Sequence, residues 1–178
     1  MDYTCRCGAF AAAIDPSKGV RAVCYCKFCR EFTVKTDAAD TLDAAGGTDL
    51  FQVAPEEMRI MKGADKLAWT QLTPKGPIRW FTTCCNSPIA NTLATRAIPF
   101  VTLNTPRLVP QDAVPPIKVR VHRKFATKRV PDDSHGVGYL MRNFGRRALK
   151  SRLNGGWKRN PFFDAYGKLI SDGPSELK

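Results

Sequence analysis

Seven cysteines, none beyond position 85 of a 178-residue chain, constrain this protein more than any other feature. They fall into Cys5-Arg6-Cys7, Cys24-Tyr25-Cys26-Lys27-Phe28-Cys29 and the adjacent pair Cys84-Cys85. Six of the seven have another cysteine within two positions, an arrangement that burial as small apolar side chains does not produce. Short knuckles separated by long loops are what a tetrahedral metal ion needs, because each knuckle supplies two thiolates and two knuckles close the sphere. Thiolates are soft and zinc imposes no geometry through its d electrons, so one or two Zn(2+) ions are expected. Such an ion stabilises a small β domain by holding two weakly packed turns together.

Other uses of these cysteines fit less well. The odd count argues against a set of disulfides, and the start Met1-Asp2-Tyr3-Thr4-Cys5 lacks the basic and apolar regions of a secretory signal. A reducing, cytoplasmic setting is therefore expected. Adjacent Cys84-Cys85 would be awkward in an iron–sulfur cluster. Cys26-Lys27-Phe28-Cys29 has redox spacing without a thioredoxin-like βαβ context. The chain has no apolar run near the ~20 residues needed to span a bilayer. It also lacks a Walker loop, a G-x-G-x-x-G and a G-x-S-x-G, which removes motif support for nucleotide or acyl-transfer chemistry.

Up to residue 104 the chain reads as short strands between turn signals. Candidates are Val20–Tyr25, Asp49–Val53, Met58–Met61, Leu67–Leu72, Ile78–Thr83 and Phe100–Leu103. Gly46-Gly47, Ala54-Pro55, Lys62-Gly63 and Pro74-Lys75-Gly76-Pro77 punctuate them. A turn of helix is expected at Lys27–Phe32, and Ala38–Ala45 also has helical character. The close spacing predicts a mainly β fold of small, meander-like antiparallel sheets. Four prolines make 105–116 a linker without regular structure. Residues 117–178 read as a basic extension packed on or beside the domain. It comprises one edge strand, Ile117–Phe125, and one amphipathic helix, Ser134–Leu153, with Val137, Leu140, Met141, Phe144, Ala148 and Leu149 as its apolar set and Gly155-Gly156 as its stop. The tail beyond Phe163 is expected to fray.

Charge follows the same division. Residues 1–114 hold 13 Lys/Arg and 11 Asp/Glu, a net +2, whereas 115–178 hold 15 and 5, a net +10. A solvated face and a contact surface for nucleic acid or another polyanion are both compatible with that excess. Arg142, Arg146, Arg147, Lys150 and Arg152, with Trp157, Phe162 and Phe163 nearby, form the candidate footprint.

The motifs Cys5-x-Cys7-Gly8, Cys24-x-Cys26-x-x-Cys29-Arg30 and a late knuckle before Ser87-Pro88 resemble the glutathione-dependent formaldehyde-activating enzyme (GFA-like) family, whose domain centromere protein V shares. The likeness covers about residues 3–104. It implies small β-sheets stapled by zinc and two zinc sites. A closed structural site maps onto Cys5, Cys7 and the Cys84/Cys85 segment. A second site with an open position, associated with glutathione-adduct chemistry, maps onto Cys24, Cys26 and Cys29. By that likeness the protein would be a carbon–sulfur lyase-type enzyme acting on glutathione or a related thiol adduct of a small aldehyde, with Lys27 and Arg30 receiving a carboxylate of the tripeptide. A solvated face is the other reading of those two cations. The chain departs from the family at the late knuckle, where Thr82 stands in place of the first cysteine and Asn86 in place of the glycine. Either a sharp turn brings both Cys84 and Cys85 to the metal, or Cys85 alone joins Cys5 and Cys7 and Cys84 is a free thiol. No catalytic residue is assigned: His122, His135 and Asp49 read as surface, capping and turn residues. The competing function is a non-catalytic zinc-stabilised module that binds polyanions through the basic third.

Overall fold

The computed structural model describes residues 1–177 and is mainly β, with two sheets and two α-helices. The smaller sheet has the order β10-β1-β2-β5, formed by Leu108–Val109, Asp2–Thr4, Ala11–Ile14 and Met58–Lys62. The larger has the order β11-β3-β4-β9-β8-β7-β6. Its strands are Val119–Val121, Val20–Cys24, Thr48–Val53, Val101–Asn104, Pro88–Thr92, Ile78–Thr82 and Leu67–Thr70. All pairings are antiparallel except β11 with β3. The run from β6 to β9 is the expected meander.

Successive side chains on a strand point to opposite faces, and in the larger sheet the two faces have different chemistry. The register row Trp69–Trp80–Ala90–Leu103–Phe51 lies on one face. It packs with Tyr3, Phe10, Ile14 and Leu108 into the principal core between the sheets. The Trp80 and Phe162 rings pack at a tilt with centroids 4.8 Å apart, which brings the C-terminal segment into the same core. The next row, Thr70–Arg79–Asn91–Thr102–Gln52–Val20, occupies the opposite face. Polar residues in the middle of a buried sheet cost free energy unless they bond one another or serve a site.

Two helices cover that second face. Helix α1 (Lys27–Lys35) packs through Phe32 against Ala68 and Phe81. Helix α2 (Val137–Leu153) packs through Tyr139 and Leu140 against Val20, Ala22 and Val119. Its buried stripe differs from the apolar set read in the sequence. Arg147 and Ser151 are buried, while Val137, Met141 and Leu149 are exposed. Arg147 donates to Gln52 Oε1 and to the Lys18 carbonyl at 3.2 Å, and Ser151 donates to Glu56 Oε2 at 2.8 Å. Burying polar groups is tolerated here because each finds a partner. Gly155, with φ of 72°, adopts the left-handed conformation that follows the end of α2.

Other boundaries also shift. Ala38–Ala45 holds only a 3-10 turn at Ala39–Thr41, and β11 ends at Val121 before another at Arg123–Phe125. The Pro-rich 105–116 segment carries strand β10, which pairs with β1. The segment after Phe163 is held rather than frayed. Trp69 Nε1 donates to the Ser171 carbonyl at 2.9 Å, and Ser175 N donates to the Trp69 carbonyl at 2.8 Å. No described helix is long and apolar enough to cross a membrane.

Candidate metal centres

The Cys5-Arg6-Cys7 knuckle follows β1 and closes where Gly8 takes φ of 74°, a conformation that glycine adopts without a β-carbon clash. Gly8 N donates to the Cys5 carbonyl, and Phe10 N donates to Cys5 Sγ at 3.2 Å, which aims that sulfur. The partner knuckle lies in the turn between β7 and β8. Asn86 adopts φ of 51° there, so asparagine takes the left-handed role of a glycine. Its N–H donates to the Thr82 carbonyl at 2.9 Å, and Thr82 N donates to the Ser87 carbonyl at 3.0 Å. This sharp turn brings both Cys84 and Cys85 to the same side as Cys5 and Cys7.

The four sulfurs lie within 4.8 Å of one another. Cys5–Cys7, Cys5–Cys84, Cys7–Cys84 and Cys84–Cys85 are 3.6, 3.9, 3.4 and 3.9 Å apart. Sulfurs bound tetrahedrally to one ion at ~2.3 Å would be ~3.8 Å apart, so the set matches a four-thiolate site. Thr82 stays outside the set and contacts Cys85 Sγ through its hydroxyl at 3.5 Å. Burial opposes ionisation of Cys85, but hydrogen bonds from Ser87, Thr82 and the Cys7 backbone bring its pKa down to about 5. Burial and the neighbouring sulfurs, Cys7 first, push Cys84 up to about 12. Four thiols at this spacing share protons in the absence of a metal and lose them together when one binds.

The second group is local. Cys24 ends β3, Cys26 caps the N-terminus of α1, and Cys29 lies in its first turn. Their sulfurs also lie within 4.8 Å of one another, and among the described residues no fourth Cys, His, Asp or Glu joins them. Hydrogen bonds from Cys24 and Cys29, and the Cys29 N–H at the start of the helix, lower Cys26 to about 2. Cys24 is shifted upward as the donor in that arrangement, with burial adding to the effect. Within the trio Cys26 is the thiol most readily ionised, and the helix dipole favours a negative charge there. The two clusters could hold metal ions.

A cavity of about 400 Å³ opens on the trio between α1 and α2. Its floor includes Arg79, Asn91 and Thr102 from the polar row, with Cys24, Cys26 and Cys29 at one side. Leu50, Leu93, Phe100, Leu140 and Met141 give it apolar walls. Arg79 is 3% exposed; its terminal nitrogens lie 3.9 and 4.0 Å from Cys29 Sγ, and one donates to Asn91 Oδ1 at 3.1 Å. Asn91 passes the chain on to Thr102 Oγ1 at 3.1 Å. His122, in the left-handed region with φ of 59°, also lines the cavity.

Residues 1–166 match the family described as "Family of unknown function (DUF6151)". The chain belongs to DUF6151. No curated protein matches the chain. Among solved structures, a crystallised Rhodobacter sphaeroides protein from a structural-genomics programme is similar to it. That protein is 20% identical with a TM-score of 0.46, over 68% of this chain and 100% of the other. Membership of DUF6151 carries no activity with it, so function rests on the sites themselves.

Several residues of this DUF6151 chain lie elsewhere than the sequence suggests. Lys27 and Arg30 do not line the cavity. Arg30 instead donates to the carbonyls of Gly46 at 3.0 Å and Phe125 at 2.9 Å, bracing two loops. The cavity's arginine is Arg79, whose sequence signal was a lone charge inside the apolar run Ile78-Arg79-Trp80-Phe81. Asp49 lies on β4 and pairs with Arg21 at 2.6 Å, so it is not a turn residue. His122 belongs to the cavity wall, whereas His135 stacks on Tyr139 at 4.3 Å. The basic footprint divides: Arg147 is buried, Phe162 and Phe163 are in the core, and Arg152 sits over Trp157 at 4.4 Å.

Proposed function

We propose that this protein holds two zinc ions with different tasks. A closed ion at Cys5, Cys7, Cys84 and Cys85 secures the fold. An open one at Cys24, Cys26 and Cys29 serves a carbon–sulfur lyase-type reaction on thiol adducts of small aldehydes. The observation that carries the reading is a three-sulfur set at the edge of a cavity, joined by no fourth Cys, His, Asp or Glu among the described residues. Three protein ligands and a free position are the arrangement of catalytic zinc, and four thiolates that of structural zinc. The likeness of the cysteine motifs to the glutathione-dependent formaldehyde-activating family supports the same division.

Zinc bound by the trio would supply a Lewis-acid position at which a thiol is held as thiolate near neutral pH. The chain's own groups do the rest. Arg79, beside Cys29 Sγ, offsets the negative charge that thiolates accumulate there. In adduct formation the thiol sulfur bonds to the aldehyde carbon and the carbonyl π pair moves to oxygen. That oxygen takes up the proton released by the thiol; the lyase direction reverses each change. His122, the imidazole in the cavity lining, is the group we assign to carry that proton.

The test is thiol binding by the zinc-loaded protein and by Cys26→Ser, followed by calorimetry with 2-mercaptoethanol. The expected result is loss of both the second zinc and thiol binding in the variant. Unchanged thiol affinity after loss of that zinc would refute the reading. A second reading, polyanion binding, is favoured by the exposed row Arg142, Arg146 and Lys150 on α2. It requires affinity for DNA or RNA that weakens steeply with added salt.

A further inference from the structure

We infer that the cavity beside the open trio selects thiols with an apolar body, alkyl or aryl, over a polar, multiply charged thiol such as glutathione. This rests on the open-site reading and specifies its substrate class. The apolar lining of the cavity that opens on the trio is Leu50, Leu93, Phe100, Leu140 and Met141, with Phe28 and Pro77. Two of them, Leu140 and Met141, come from α2, so the C-terminal extension closes what would otherwise be an open sheet face.

The polar groups in the lining are few and mostly committed. Arg79 is engaged by Asn91 and lies against Cys29 Sγ. Asn91 donates to Thr102, and Gln52 accepts from Arg147. Among the described residues no carboxylate lines the cavity to receive an ammonium group, and beyond Arg79 the only one of them in the lining that can carry positive charge is His122. A tripeptide thiol with two carboxylates and an ammonium would lose hydration there without equivalent partners, which is costly. An apolar body loses nothing polar and gains the burial of its surface.

Arg79 fits this assignment as a positioning residue for charge. It is almost fully buried, its Nε has no partner, and among the described residues no carboxylate pairs with it. A buried guanidinium of that kind is tolerated where anions lie close by. Here those anions are the thiolates of the trio and of the incoming thiol, so the ligand needs no acid group of its own.

The experiment uses intact protein loaded with cobalt(II), whose thiolate charge-transfer absorption reports a new sulfur ligand without any turnover. Titrants are 2-phenylethanethiol, 2-mercaptoethanol and glutathione, compared at equal thiolate concentration. The phenyl thiol is expected to bind roughly tenfold to a hundredfold more tightly than 2-mercaptoethanol, the worth of burying one aromatic side group, and glutathione no more tightly than 2-mercaptoethanol. Met141 is exposed, so Met141→Glu leaves the core intact; it should reduce the phenyl preference at least about threefold. Tightest binding by glutathione, or a phenyl preference unmoved by Met141→Glu, would overturn the inference while leaving the open metal in place. If no thiol perturbs the cobalt spectrum, the open-site reading falls and the inference with it.

Discussion

Cys5 and Cys84 meet across 79 positions of chain, whereas Cys24, Cys26 and Cys29 lie within one strand end and the first turn of a helix. Both clusters place sulfurs within 4.8 Å of one another, yet a metal would do different work in each. At the first it would cross-link the turn after β1 to the turn between β7 and β8, joining the smaller sheet to the larger. By analogy with disulfides, closing a loop of about 80 residues removes roughly 4 to 5 kcal/mol of unfolded-state entropy, against about 2 kcal/mol for a loop of about six. At the second, the loop is short and the fold gains little, so a coordination position can be left free for a ligand. Distance along the chain therefore separates a tie from a reactive site more clearly than cysteine spacing does.

The comparison breaks first under substitution. Cys5→Ser should cost about 4 kcal/mol or more in urea unfolding, whereas Cys24→Ser should cost about 1 to 2 kcal/mol. Equal losses would mean that both clusters act as ties. Alkylation sharpens the contrast. With the open site emptied by a mild chelator, Cys26 should react with iodoacetamide at a rate nearly independent of pH between 5 and 8. Its pKa is lowered, so the thiolate persists well below the ordinary thiol range of about 8.5. A rate that falls about tenfold per pH unit would show an ordinary thiol. Under the same conditions Cys5, Cys7, Cys84 and Cys85 should remain protected. The smallest effect concerns the turn that admits Cys84. Asn86→Gly should change stability by less than about 1 kcal/mol, and Asn86→Ala should cost about 1 to 2 kcal/mol. Alanine adopts the left-handed conformation poorly, and both variants lose the donations to the Lys35 carbonyl and Asp37. Equal behaviour of the two would remove backbone conformation from the account.

Both cysteine groupings are legible in the sequence because ligands must come in short, paired runs, and a run of that kind has few other causes. Most strands of the larger sheet are legible for a similar reason: β-branched and aromatic residues stand between clear turn residues. Strands β2 and β8 are not, since Ala11–Ile14 has little β preference and Pro88–Thr92 opens on proline. The cavity is hidden too. It is assembled from β3, β4, β7, β8, β9, β11, α1 and α2, and no local pattern records that Leu140 and Met141 will line the same cavity as Cys29. Arg79 was visible only as a charge in an apolar strand, a signal that becomes meaningful once both faces of that strand are known to be covered. The buried side of α2 is legible only in part: Leu140 and Phe144 pack inward as their periodicity suggests, whereas Arg147 and Ser151 are buried through partners elsewhere in the chain, which periodicity does not count.

The most direct test of the division between the clusters is the zinc-to-protein ratio of the intact chain and of Cys24→Ser, purified under reducing conditions. The account predicts two ions in the intact protein and one in the variant, with the remaining ion bound to sulfur alone. A single ion in both, or two in both, would contradict it.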